Sequence, residues 1–312
     1  MERRHIGSLE VSVVGLGCNN FGWRVGKDAS RETIAAALEG GVNFLDTADM
    51  YDNGTSEEFI AEALGERRKD IVLATKFGMN VGEGKEGASP AYVRQACDAS
   101  LQRLKTDHID LYQLHTPDAK TPIGDTLAAL DELVKAGKVR EIGCSNFSVD
   151  QLREAAAAVN AGGARFVSVQ NHYSLFHREP EEGVLEECVK SGIGFIPYFP
   201  LANGLLSGKY RKGQPLPESS RAKDGWGPKL FTDENLDKVE KLIGYAEGRG
   251  HTLLELATAW LAAQPSVVSV ISGAKTPEQA RTNAAAANWK MTPVEVAAVS
   301  AIASDNGGQQ KQ

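Results

Sequence analysis

The stretch VSVVGLGCNNFG, Val11 to Gly22, decides between two folds. A β-branched apolar run passes straight into glycines, the order in which a nucleotide-binding open sheet presents its first strand and phosphate loop. That sheet needs G-x-G-x-x-G opening a helix, because the glycines make the turn, admit the pyrophosphate and let helix and strand approach. Gly15 and Gly17 fill the first two places, but Asn20 stands in the third, and the next helical pattern starts only near Ser30. The fingerprint is incomplete, so the stretch is read as the first strand of another α/β architecture.

Seven further apolar runs rich in β-branched residues follow, at Val42, Ile71, His108, Lys138, Phe166, Ile193 and Val267. Helical patterns separate them, with start signals at Ser89, Thr121, Thr55 with Glu58, Ser148 with Gln151 and Thr276 with Gln279. Glycines at 40, 41, 65, 137, 162, 163 and 192 mark the stops. Eight nearly continuous apolar strands alternating with helices call for a parallel sheet covered on its outer face, and a (β/α)8 barrel satisfies the count. One barrel domain over residues 1–312 is predicted.

The composition fits a protein with a large core: 42% of the 312 residues are hydrophobic and 24% charged. A net charge of -7 gives no basic field for nucleic acid or an anionic membrane surface, and no run approaches the ~20 apolar residues of a bilayer span. The four cysteines, at 18, 97, 144 and 188, are widely spaced and form no Cys-x-x-Cys pair, so a cytoplasmic protein with reduced thiols and no metal is expected.

Barrel active sites lie at the C-terminal ends of the strands. Asp46, Lys76 and His115 end three successive strands, and strands ~5 Å apart bring their side chains to one patch of the rim, with Tyr51 on the loop above. Singly, each has a plainer reading: a turn aspartate, a surface lysine, a core histidine. Together they suit carbonyl reduction, in which negative charge grows on oxygen and a proton must arrive. Tyr51 would donate the proton, Lys76 would make the phenol more acidic, Asp46 would hold Lys76 and His115 would orient the carbonyl. Asp49 and Asp52 read as turn residues before the Thr55 cap.

These residues, with GCSNFS (Gly143 to Ser148), VQNHYS (Val169 to Ser174), PYFPLANGLLSGKY (Pro197 to Tyr210) and SGAKTPEQARTN (Ser272 to Asn283), identify the chain as resembling the aldo-keto reductase superfamily over essentially its whole length. The resemblance implies a TIM barrel with an N-terminal β-hairpin and extra C-terminal helices, an NADPH cofactor with NADH as the alternative, and a small-molecule carbonyl substrate. It assigns Ser145, Asn146 and Gln170 to the nicotinamide carboxamide and Tyr198 to stacking on its ring. Pro200, Leu201, Gly204, Leu206, Gly208 and Lys209 fall to the pyrophosphate, and Gly273, Lys275, Gln279 and Asn283 to the adenosine end. A basic patch agrees: Ser207 to Lys223 holds Lys209, Arg211, Lys212, Arg221 and Lys223 against Glu218 alone.

Three departures from the family pattern bear on specificity. Gln279 stands where NADPH-preferring relatives often carry arginine, with Lys275 or Arg281 as substitutes. Phe199 replaces a common serine. The polar tail after the helix near Thr292 lacks the long loop that shapes the pocket in some subfamilies, which leaves substrate choice to Phe21, Trp23, Phe77 and Trp226. A metal hydrolase would need a His-x-His or His-Glu-x-x-His pattern, and a short-chain dehydrogenase Tyr-x-x-x-Lys; neither occurs. A nicotinamide-binding regulator resembling channel β subunits keeps the same tetrad and is the alternative function. A monomer is the family default.

Overall fold

The computed structural model describes residues 1–217, 222 and 227–305; Trp226, Arg221 and Lys223 lie outside them. Ten strands are described: β1 (Arg3–Ile6), β2 (Leu9–Ser12), β3 (Val14–Gly17), β4 (Phe44–Asp46), β5 (Val72–Phe77), β6 (Ile109–Leu114), β7 (Val139–Ser145), β8 (Phe166–His172), β9 (Gly194–Tyr198) and β10 (Val270–Gly273). Their helices are α1 (Lys27–Glu39), α2 (Thr55–Leu64), α3 (Pro90–Leu104), α4 (Ile123–Lys135), α5 (Val149–Ala157), α6 (Val184–Ser191), α7 (Gly227–Leu230), α8 (Asp233–Glu247), α9 (Leu253–Ala262), α10 (Pro277–Ala285) and α11 (Pro293–Ser304).

β3 to β10 form one parallel sheet in the order β10-β3-β4-β5-β6-β7-β8-β9. Its last gap is bridged by the backbone: Phe195 N donates to Ser266 O at 2.7 Å and Val268 N to Phe195 O at 3.0 Å. This is the predicted (β/α)8 barrel, nearly closed. The run beginning at Val11 divides, however. Val11 and Ser12 belong to the antiparallel β1–β2 hairpin, and only Val14 onward enters the barrel.

The strand period of two sorts side chains between two cores. Phe44, Val72, Ala74, Leu111, Val167, Ile196 and Ile271 point inward, where Ile6, Leu9 and Val11 of the hairpin pack against them. Leu45, Leu73, Phe77, Tyr112 and Leu114 point outward into the layer shared with the helices. Continuing inward, the same alternation stacks Asp46, Lys76 and Gln113 above the apolar floor.

Helix starts follow the sequence signals in part. Ser89 Oγ accepts from Tyr92 N, and Ser148 with Gln151 forms the full capping box. Thr276 accepts from Gln279 N, but the Gln279 amide oxygen turns to Lys275 N instead. Thr121 gives its hydroxyl to Asp118, so Pro122 caps α4. Thr55 does not cap α2 either. Asp52 and Asn53 both adopt left-handed conformations (φ 49° and 53°), which swings Gly54, at φ +93°, into the cap position and leaves Thr55 donating back to Asp52 O. α1 begins at Lys27, and Ser30 is buried within its first turn. The additional helix α11 packs on α8.

Candidate active site

Lys76 is fully buried at the C-terminal end of β5, with its ammonium 2.6 Å from Asp46 Oδ2, 2.8 Å from Thr47 O and 3.4 Å from the Tyr51 hydroxyl. A buried ammonium survives only with such partners, since desolvation alone costs several kcal/mol. Burial works against its charge, but Asp46 and Tyr51 outweigh burial and hold the Lys76 pKa above its usual value. Asp46 is tied on its other oxygen by Gln113 Nε2 at 3.1 Å and Gln170 Nε2 at 2.9 Å. Gln113 was not singled out in the sequence. Its inward register two residues before His115 is the signal that marks it.

The Tyr51 ring meets His115 edge-on with centroids 6.1 Å apart. Burial, with the Lys76 ammonium adding to it, drives the His115 pKa down to about 3, so the imidazole is neutral at physiological pH. Its Nδ1 is buried without a hydrogen-bond partner. Tyr51 departs from expectation: Lys76 does favour its phenolate, but burial exceeds that pull and leaves the phenol above its ordinary value.

These groups floor a cavity of about 910 Å³, the large end of the range for small-molecule sites. It runs from Asp46, Tyr51 and His115 past Tyr198 and Lys209 to Gln279 and Asn283. Ser145, Asn146, Gln170, Pro200, Leu201, Gly204, Gly273 and Lys275 also line it. Near the tetrad the lining bonds to itself: Ser145 Oγ to Gln170 O at 2.7 Å, Asn146 Nδ2 to His115 O at 3.0 Å and Tyr198 Oη to Asn146 Oδ1 at 2.8 Å. Phe199 lines it too, with a left-handed backbone (φ 52°) rare for an aromatic residue. Asn19, Asn20 and Glu278 are further lining residues that sequence reasoning missed; Asn20 occupies the place of the third glycine and Asn19 directly precedes it.

Other expected residues fall elsewhere. Leu206 is buried in the outer core, and Gly208 approaches Leu253 outside the lining. Phe77 is not a pocket residue: with Lys76 pointing in, strand alternation turns Phe77 out, where it stacks on Tyr112 at 4.7 Å. Phe21 is fully buried in the same outer layer. Trp23 is 61% exposed, its indole donating to Asn19 O while Arg24 lies over the ring. Trp226 lies outside the described residues. The basic patch also disperses, because Arg211 pairs with Glu240 at 2.8 Å and Lys212 with Asp237 at 2.5 Å, leaving Lys209 as its described member in the cavity.

The four cysteines are buried and unpaired, no group of three or more metal-ligating side chains occurs among the described residues, and no described helix is long and apolar enough to cross a membrane. Comparison with known proteins agrees with the barrel fold. The aldo/keto reductase family model matches residues 13–304. The chain is 37% identical to the uncharacterized oxidoreductase YqkF of Bacillus subtilis, covering 96% of this chain and 95% of that one. It is 35% identical to a probable voltage-gated potassium channel subunit beta of Arabidopsis thaliana (91% and 90% covered) and to the aldo-keto reductase yakc [NADP(+)] of Schizosaccharomyces pombe (94% and 88%). The glycerol dehydrogenase AKR11B4 of Gluconobacter oxydans superposes with a TM-score of 0.84 at 31% identity, over 96% of this chain and 94% of that one. The chain belongs to the aldo/keto reductase family and is an NAD(P)H-dependent oxidoreductase.

Proposed function

We propose that the protein reduces the carbonyl group of a small aldehyde or ketone, or oxidises the corresponding alcohol, with Tyr51 as the proton donor. The observation that carries this reading is the fully buried Lys76 ammonium, held by Asp46 at 2.6 Å and set 3.4 Å from a phenol at the cavity floor. When bound, the reduced nicotinamide supplies the hydride. As negative charge grows on the substrate oxygen, Tyr51 gives it a proton, and Lys76 stabilises the phenolate left behind. Neutral His115, whose Nδ1 is enclosed, offers Nε2 to orient the oxygen.

The lining suits a dinucleotide. Tyr198 presents a ring to a nicotinamide, and the Gln170 amide oxygen can accept from its carboxamide while the amide nitrogen stays on Asp46. Asn146 must exchange its bond to Tyr198 or His115 for one to the ligand. Lys209 and Lys275 supply positive charge along the remaining length, and Gln279 and Asn283 polar groups at its end. Those lysines, and the NADP(+) in the name of the fission-yeast relative, favour NADPH. The margin over NADH is narrow: Glu278 adds a carboxylate to the same end, and Arg281, which could replace the missing arginine, pairs with Glu39 at 3.5 Å. Unpaired buried cysteines suit a reducing cytoplasm.

The decisive experiment is steady-state turnover of a carbonyl panel with NADPH by the wild type and Tyr51→Phe. The variant should bind NADPH normally and lose roughly 10²- to 10⁴-fold in kcat. An unchanged kcat would refute the proton-donor role. The Arabidopsis relative supports a second reading, a nicotinamide-binding regulator, which predicts NADPH binding with negligible turnover of every carbonyl by the wild type itself.

A further inference from the structure

Asp49 is the turn residue that its sequence context suggests, but a buried one. It is 4% exposed, and its Oδ1 is buried with no hydrogen-bond partner. The groups facing it are Glu57 from α2, Arg103 and Tyr92 from α3, Tyr112 from β6 and Lys76 from β5. Arg103 is committed: its Nε donates to Glu57 at 2.6 Å and one Nη to Ser100 at 3.2 Å. Glu57 in turn accepts from Thr75 at 2.6 Å, and Lys76 belongs to Asp46 and Thr47. Glu57 thus holds the guanidinium whose charge both acids feel, and burial together with Glu57 raises the Asp49 pKa to about 7.

The backbone links this carboxyl to the tetrad. Asp49 N donates to Lys76 O at 3.1 Å, and Tyr51 N to Ala48 O at 3.1 Å, so Asp49 sits inside the turn that carries the phenol. We propose that Asp49 is a positioning residue for Tyr51, which supports proton donation while it is neutral and weakens it once ionised. Its negative charge then acts through Lys76, competing with the phenolate for the ammonium and making Tyr51 a poorer acid. The kinetic consequence rests on the reaction proposed above, but the coupling does not.

Tyrosine labelled with ¹³C at the ring carbon bearing the hydroxyl gives a readout independent of turnover, with the Tyr51 signal identified as the one lost in Tyr51→Phe. In the wild type that signal should shift in a step near pH 7. Asp49→Asn should abolish the step, and Glu57→Gln, which removes the neighbouring negative charge, should move it to lower pH. Absence of the step in the wild type, its retention in Asp49→Asn, or an unmoved step in Glu57→Gln would each overturn the proposal. If Asp49→Asn fails to fold, the wild-type step and Glu57→Gln decide. In kcat against pH, the wild type should fall near pH 7 and Asp49→Asn should not. A spectroscopic step without turnover of any carbonyl would leave Asp49 coupled to Tyr51 and refute the reductase reading instead.

Discussion

The two ends of the cavity are built differently. Lys76 and Asp46 are buried and each tied by short bonds to two or more partners, whereas at the α10 end Lys275, Glu278 and Gln279 are exposed or half-buried on a loop and a first helical turn. At the first end an electrostatic interaction acts in a low effective dielectric; at the second it is screened by water. The same change of one charge should therefore have very unequal consequences at the two ends.

Lys76→Met tests the buried end and should have the largest effect. It strands Asp46 beneath the surface without a cation, which costs about 3–5 kcal/mol of unfolding free energy, and it removes the support of the phenolate. Urea unfolding and kcat should both collapse; a variant as stable and active as the wild type would show that the end is not held by charge. His115→Gln reads the same end through pH. The native imidazole titrates near 3, below its ordinary 6.5, so the unfolded chain binds the proton first as pH falls. Wild-type stability should drop between those values by up to about 1.4 kcal/mol per pH unit relative to the variant, and should match its pH dependence above pH 7. Parallel stability curves across the acid range would mean the imidazole is as hydrated as a free one.

Glu278→Gln probes the open end and should have the smallest effect. Removing one screened carboxylate should tighten NADPH about three- to fivefold and leave NADH unchanged, as measured by fluorescence titration. A change of a hundredfold would mean that this end is as desolvated as the other, and equal changes for both nucleotides would separate Glu278 from the 2′-phosphate.

The buried end was the more legible in sequence, for the same physical reason. Strand periodicity fixes which residues face inward, and Asp46, Lys76 and His115 at three strand ends could be brought together before any coordinates. Applied one residue further, that period also excludes Phe77, because neighbours on a strand cannot both face the cavity. Asp49 could not be read this way. The charges that face it, Glu57 on α2 and Arg103 on a helix some fifty residues later, are brought there by tertiary packing that local pattern does not encode. The failure of Thr55 as a cap likewise depends on two consecutive left-handed residues, Asp52 and Asn53, neither of them glycine. At the open end, the motifs identify a loop but not which of its charges pair away from the cavity, as Arg211, Lys212 and Arg281 do.

The hairpin that floors the barrel is held in part by the far end of the chain: Arg4 donates to Val267 O at 2.5 Å, and Ser269 Oγ to Ser12 O at 2.8 Å. These contacts span more than 250 residues of sequence, so a chain emerging from the ribosome exposes the β3 edge and the underside of the floor until β10 has been synthesised. Closure of the circle is thereby one of the last events of biogenesis, and truncation before Val267 should leave a sticky open sheet rather than a smaller barrel.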